Sequence, residues 1–316
     1  MAQDNGKEEA FRFLKLPLTA QMAALGEYNV SSLRSDPGLS YFNPALLRKE
    51  MNGKTELTFR SGVAGLKNAN ALYAGYSEKW QSAFHIAVLY FNYGKTEETD
   101  FAGNILGYFQ PADYAVQAGI SRRYEEHWYY GASVKYMNSH YAQYISSGIG
   151  LDVGVNYMDT SKGIQVGLVL RNMGSQLKSY AGSDKYSLPF DLILGLSKKI
   201  QNAPIQLSLT AHSLHDFNLL EEYTSVTGES AAWEEIFSHL VWGVQIYAGQ
   251  YVELSAGYNY LGRVEQSIMP YAKGFTGLSF GMAVLFKRLN LRYSTGVYQP
   301  GSSRHYFGVG MNLKEL

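Results

Sequence analysis

His212, His215 and Asp216 come closest to a chemical centre. Two imidazoles and a carboxylate are ligands that zinc accepts, but zinc gathers its ligands tetrahedrally around one point. On a strand, His212 and His215 are separated by an odd number of residues and point to opposite faces. They therefore read as polar residues at a strand's rim. Glu125, Glu126 and His127, with Arg122 and Arg123 beside them, fall on a short turn, where exposed opposite charges contribute little. A GxSxG spacing occurs at Gly277 to Gly281, but within an alternating strand-like stretch, and no HExxH or phosphate-binding glycine loop occurs. Serine, histidine and aspartate show no nucleophile arrangement, so no nucleophile, zinc-hydrolase or nucleotide chemistry is indicated. The chain has no cysteine, which removes thiolate ligands, thiol nucleophiles and disulfides. The expectation is a non-enzymatic protein with no catalytic residue, no metal and no cofactor.

The elements that would position these residues are more telling. Ile164, Val166, Leu168 and Leu170 alternate with Gln165, Gly167, Val169 and Arg171. Phe190, Leu192, Leu194 and Leu196 alternate with Asp191, Ile193, Gly195 and Ser197, and Ile205, Leu207, Leu209 and Ala211 with Gln206, Ser208, Thr210 and His212. Strand side chains point to opposite faces with period two, so each run has a greasy face and a more polar one. Tilted runs of about ten residues cross a bilayer, whereas strands of globular proteins usually hold about five or six. The pattern persists to the last strand, where Phe307, Val309, Met311 and Leu313 oppose Gly308, Gly310 and Asn312. The fold class expected is all-β, a transmembrane antiparallel β-barrel.

Composition agrees. The 316 residues include 26 Tyr and 32 Gly but only 8 Pro, and 17% are charged. Tyrosine collects in girdles at membrane interfaces, and glycine suits crowded barrel interiors and tight turns. Mean hydropathy is −0.19, and no run of about 18 apolar residues is present, which excludes spanning helices. Lys+Arg 27 balances Asp+Glu 27 with no basic block, so nucleic acid is not an expected partner. The opening Met1, Ala2, Gln3, Asp4, Asn5 and Gly6 lacks an apolar signal core; for an exported protein this reads as a mature chain whose leader has been removed.

Strand signals fall near 55–66, 69–79, 81–92, 112–123, 127–143, 147–158, 163–177, 188–199, 203–215, 238–248, 250–262, 274–286, 288–298 and 304–314. That makes 14 strands, and an even number is usual for bacterial barrels. Thr96 to Gln110 reads as an external excursion. The connections around Trp80, Glu125, Ser161, Asn202, Gln250 and Lys287 are then short and share one end. Those near 93–111, 178–187, 216–237 and 263–273 are long and share the other. Short periplasmic turns opposite long external loops are usual in such barrels.

Residues 1–54 are not strand-like. Leu16, Pro17, Leu18, Ala20 and Met22 to Leu25 form an apolar stretch, Asp36, Pro37 and Gly38 a turn, and Asn43 an N-cap before Pro44, Ala45 and Leu46. The expected division is an N-terminal plug segment, 1–54, inside a barrel of residues 55–316; the alternative is a tail packed on the barrel base. The lumen-facing set Gln165, Arg171, Asp191, Gln206, Thr210, Glu253 and Asn259 reads as packing of a closed barrel, with charges paired, rather than as an open pore.

The long loops hold the candidate partner-binding residues. Leu219 to His239 contains Glu221, Glu222, Tyr223, Trp233, Glu234, Glu235, Ile236 and Phe237. Ser230 can cap a short helix that sets Trp233, Ile236 and Phe237 on one side. Such a stripe must be covered by the barrel rim or by a partner, and the sequence leaves both open. Tyr180 and Tyr186, with Met269 and Tyr271, share the same end.

Asn43, Pro44, Ala45 and Leu46, preceded by Ala24, Gly26 and Asp36, resemble the N-terminal signature of FadL-type outer-membrane barrels. Asp113 to Val116, Gly131 to Tyr136, Asp152 to Gly154, and Asn172 to Gly174 followed by Leu188 and Pro189 are similar to the PorV/PorQ branch of that superfamily. Compact loops and the opening Phe11, Arg12, Phe13 and Leu14 through Leu16 and Pro17 look more like its PorQ members. The resemblance implies a 14-strand barrel with an N-terminal plug, in the cell outer membrane with its loops outside. It implies an anchor in the attachment complex of the type IX secretion system, holding a PorZ-like surface protein together with PorU and PorV, beside lipopolysaccharide. The alternatives are a FadL-like transporter of hydrophobic molecules, which would show a strand kink or bulge beside an apolar lumen pocket, such as near Pro189 or Gly174, with bound detergent or lipid in it, and a PorV-like cargo shuttle.

Overall fold

The computed structural model describes residues 9–61, 66–180, 184–220, 232–266, 275–299 and 302–314. Fourteen strands close into one antiparallel barrel. They are β1 (Lys54–Ser61), β2 (Lys67–Ser77), β3 (Ser82–Asn92), β6 (Ala112–Tyr124), β7 (Trp128–Tyr141), β8 (Tyr144–Asp159) and β9 (Ile164–Lys178), followed by β10 (Asp191–Lys199), β11 (Ile205–Ala211), β12 (Leu240–Ala248), β13 (Val252–Asn259), β14 (Leu278–Leu285), β15 (Leu289–Gln299) and β16 (Ser302–Asn312). Each strand pairs with its neighbour, and β16 returns to β1 in the register Thr55 to Met311 and Leu57 to Val309. Pairing of the last strand with the first removes the two outer edges an open sheet would have. The stretch read as an excursion is a hairpin, β4 (Thr96–Thr99) and β5 (Ile105–Phe109), paired among the described residues only with itself.

Period-two burial runs along the strands as the alternation predicts. Leu168, Leu194, Leu207, Leu254, Phe280, Leu291 and Phe307 are exposed on the outward face, while Gln165, Arg171, Asp191, Gln206, Thr210, Glu253 and Asn259 are all buried on the inward one. Tyr90, Tyr114 and Tyr136 are exposed towards the end with the long connections, and Trp80, Tyr124, Trp128 and Tyr251 at the end with the short turns. An apolar band between two aromatic girdles is the surface a barrel presents to lipid.

Among the described residues, several strands are shorter than expected at the long-connection end: β1 stops at Ser61 rather than 66, β10 begins at Asp191 rather than 188, β11 stops at Ala211 rather than 215, β13 stops at Asn259 rather than 262, and β14 begins at Leu278 rather than 274. At β13 the cause is local. Asn259 Oδ1 accepts from Gly262 N at 2.9 Å, an N-cap that starts a helix over Tyr260–Gln266 and ends the strand.

Residues 9–53 form short helical turns, including the helix α1 over Ala20–Ala24, which Thr19 Oγ1 caps by accepting from Met22 N at 3.3 Å. Their side chains join the inward faces of the strands in one apolar cluster. Phe13, Leu14, Met22, Tyr41, Phe42 and Leu46 of this segment pack with Leu72, Leu89, Phe91, Met137, Val169 and Ile193 of the wall. Each large side chain buried in this way stabilises the fold by about 1.5–3 kcal/mol. The inward face is therefore half apolar, a departure from the polar interior the sequence suggested. The signal was the uninterrupted apolar runs Val88 to Phe91 and Leu192 to Leu194, since a strand buried on both faces reads as continuously hydrophobic.

Candidate functional site

The N-terminal segment lies directly on inward-facing glycines. A β-carbon on Gly131 of β7 would stand 2.6 Å from the Pro44 carbonyl carbon, one on Gly154 of β8 2.1 Å from Asn43 Oδ1, and one on Gly167 of β9 2.2 Å from Val30 O. Only glycine lets two backbones approach this closely. Asn43 is the organising residue above them. Its Oδ1 accepts from Ala45 N at 3.0 Å and caps the turn Pro44–Leu46, and its Nδ2 donates to Val30 O at 3.1 Å. The capped turn expected from Asn43, Pro44, Ala45 and Leu46 is present, as a 3-10 turn.

Beside this belt runs a buried polar chain. Gln117 Nε2 donates to Tyr41 O and to Ser133 Oγ, both at 3.1 Å, and Ser133 Oγ donates to Asp152 Oδ2 at 3.1 Å. Asp152 also pairs with Lys135 Nζ at 2.8 Å, and both side chains are fully buried. Lys135 Nζ donates to Asn172 Oδ1 at 2.7 Å, Asn172 N donates to Asp152 Oδ1 at 2.7 Å, and Asn172 Nδ2 donates to Pro189 O at 2.7 Å. A buried charge pair needs such additional partners to offset its desolvation. Arg171, next in the chain, places its guanidinium 3.4 Å over the Phe42 ring. The N-terminal segment is thus wired to β9.

At Asn172 the wall is irregular. Its φ is 56°, in the left-handed region, and the β8–β9 register shifts between Leu151 and Val153, so that Arg171 and Asn172 together face Asp152. This is a β-bulge. Beyond it β9 loses one neighbour. The β9–β10 ladder stops at Arg171 and Asp191, while β9 continues to Lys178, paired among the described residues only with β8. In register along the ladder, Ser175 faces Ile149, which faces the exposed Tyr136. The step is bridged by residues 184–190 through side chains: Asn172 to Pro189, and Gln176 Oε1, which accepts from Tyr186 N at 2.9 Å. Ala10 N donates to Ser187 O at 2.9 Å, so the start of the N-terminal segment meets the same bridge. A cavity of about 370 Å³ beside it has a mixed lining, with Phe11, Phe13 and Tyr141 beside Glu9, Arg12 and Asp113.

The residues singled out in the sequence separate into groups. His212 is wholly buried and stacks on Tyr28 of the N-terminal segment, with centroids 4.3 Å apart, rather than standing at a polar rim. His215 packs edge-on to Phe190 at 5.0 Å, so the two imidazoles have different neighbours. Arg123 donates to the Glu125 and Glu126 carbonyls at 3.1 and 2.6 Å and closes an exposed turn. Tyr180 is half-buried against Tyr141 at 6.0 Å, and Tyr186 is half-buried too. Trp233, Ile236 and Phe237 are exposed on a helix, α2 (Ala232–Ser238), which packs by β12 and the Tyr260 helix instead. Glu222, Tyr223, Met269, Tyr271 and the capping Ser230 lie outside the described residues. The charged core of the polar chain, Lys135, Asp152 and Asn172, was visible only as motif residues; nothing local says that three strands bring them together.

No family model matches the chain, and no curated protein matches it in sequence. Solved structures match in shape. The Ralstonia pickettii toluene transporter TbuX is 12% identical, with 97% of this chain and 98% of that one covered and a TM-score of 0.56. The fold is FadL-like. A TodX deltaS2S3 mutant monoaromatic hydrocarbon channel superposes at TM-score 0.58, with 13% identity over 93% of this chain and 98% of that one. A Pseudomonas aeruginosa FadL homologue superposes at 0.54, with 10% identity over 93% and 98%. The FadL-like fold accounts for the closed 14-strand wall; at such identities it is the fold alone that is shared.

Proposed function

We propose that the protein is a non-enzymatic outer-membrane channel for small hydrophobic molecules, with the long connections outside and residues 9–53 as its plug. The observation that carries this reading is the step between β9 and β10. Beyond Asn172 the wall is held by side-chain hydrogen bonds instead of a ladder, beside outward-facing apolar residues. A hydrophobic molecule leaving there enters lipid without crossing a polar lumen. The fold shared with hydrocarbon channels supports the same reading. The polar chain from Tyr41 O to Pro189 O couples plug and gap.

The test uses the absence of native cysteines. Cells carrying the protein take up a labelled monoaromatic hydrocarbon, and the Gln176→Cys/Tyr186→Cys variant is joined by a short, thiol-reversible cross-linker. Uptake should fall on cross-linking and return on reduction. Uptake that ignores the cross-link rules out exit at this gap.

A second reading, the type IX secretion anchor for a PorZ-like protein with PorU and PorV, draws on the hairpin β4–β5. Phe101, Ile105, Leu106 and Tyr108 are exposed there beyond the barrel, and exposed apolar clusters mark interaction sites. One surface protein co-purifying at a fixed ratio, and lost when Thr96–Phe109 is replaced by a Gly/Ser linker, would favour the anchor.

A further inference from the structure

Helix α2 turns two chemically different faces to its surroundings. On one, Glu235 accepts from Leu219 N at 2.6 Å and Leu220 N at 3.3 Å, Ser238 is buried, and His239 N donates to Ile236 O at 3.3 Å. This face is tied to the loop and the barrel. On the other, Trp233, Ile236 and Phe237, spaced i, i+3, i+4, form one apolar stripe, exposed by 55%, 61% and 41%. The stripe does not stand alone. The Phe237 ring lies 5.3 Å from Trp242, the Trp242 ring stacks on Tyr258 at 6.0 Å, and Tyr260 meets both Trp233 and Phe237 at 6.3 Å. Trp242 of β12 and Tyr258 of β13 lie on the outward face, alternating with buried Val241, Gly243, Gly257 and Asn259. The aromatic surface of α2 is thus a continuation of the lipid-facing wall.

We infer that α2 lies in the interfacial layer of the bilayer, with Trp233, Ile236 and Phe237 as its membrane anchors, rather than forming part of a docking site for a soluble partner. The occupant follows from continuity. A soluble protein covering this stripe would have to cover Trp242 and Tyr258 as well, and these sit on a face that lipid already surrounds. Tryptophan and phenylalanine on one side of a short helix, with the Glu235 carboxylate turned to loop N–H groups and Glu234 accepting from the Tyr260 hydroxyl at 3.3 Å, fits an element that lies in the membrane plane, and tryptophan prefers that depth. The inference rests on reading the wall as membrane-spanning. It is independent of what the barrel conducts.

The experiment is depth-dependent quenching in vesicles of acyl-brominated phosphatidylcholine. One protein retains Trp233 alone (Trp80→Phe, Trp128→Phe, Trp242→Phe) and a companion retains Trp242 alone. Brominated lipid should quench Trp233 to within about twofold of Trp242, and aqueous iodide should quench it little. Quenching of Trp242 by lipid but of Trp233 only by iodide overturns the inference and leaves the membrane wall standing. Quenching of neither by lipid removes the membrane reading and the inference with it. Should the tryptophan-poor proteins not fold, judged by heat-modifiable gel migration, Ile236→Cys carrying a nitroxide answers the same question. Its relaxation should be raised more by oxygen than by a water-soluble nickel chelate, and the opposite order overturns the inference.

Discussion

Asn43 sits so close above Gly154 that a β-carbon there would come within 2.1 Å of its side-chain oxygen. The N-terminal segment is therefore held by shape as well as by hydrogen bonds.

Gly154→Ala must push Asn43 aside and break its cap, a loss of about 1–3 kcal/mol by overpacking. The control is Gly296→Ala, whose β-carbon meets nothing within 4 Å and should change stability by less than about 0.5 kcal/mol. Denaturant unfolding from lipid vesicles compares the two. Equal effects would place the N-terminal segment away from the wall.

Lys135 and Asp152 are a buried pair that neither partner survives well alone. Lys135→Met leaves the Asp152 carboxylate uncompensated and should cost about 3–5 kcal/mol. Adding Asp152→Asn removes the stranded charge and should recover much of this. A double mutant as unstable as Lys135→Met alone would show that the charge is not what costs.

Asn172 separates backbone strain from contact. Its φ of 56° disfavours alanine by about 1–2 kcal/mol and not glycine, while both substitutions lose the hydrogen bond to Pro189 O. Asn172→Gly should therefore be the more stable variant by that margin, and both should speed hydrocarbon uptake. Unchanged uptake in both would remove the side chain from any part in holding the gap.

Lys49 and Glu78 join the N-terminal segment to the turn after β2 at 2.7 Å, with both side chains exposed. The hydrogen bond from Lys49 holds the Glu78 carboxyl below the usual glutamate range. A depressed folded-state value contributes stability above the unfolded value, and the contribution is lost as pH falls through the folded one. An exposed pair is screened by water, so Glu78→Gln should leave stability at pH 7 unaltered. Carboxyl-carbon NMR should show the Glu78 midpoint rising to the ordinary value in Lys49→Met. A midpoint that stays low would assign the shift to another group.

The strand period, the fourteen strands, the hairpin left outside and the capped turn at Asn43 are all legible in the sequence. Each depends on neighbours in the chain: alternation records two solvents on two sides of a wall, and an N-cap needs only the next few residues. The local rules failed where strands met other parts of the chain. His212 reads as a rim residue until Tyr28 stacks on it, and the apolar inner face of β3, β7, β9 and β10 has meaning only once Phe13, Phe42 and Leu46 are laid against it. The shortened β10 was not predictable from its own alternation, because Phe190 continues the period; what stops the ladder is the bulge at Asn172, fixed by Asp152 on a different strand. Tertiary structure decided which inward glycines carry the N-terminal segment and where the wall is left to side chains, since both depend on the register of chain segments far apart in sequence.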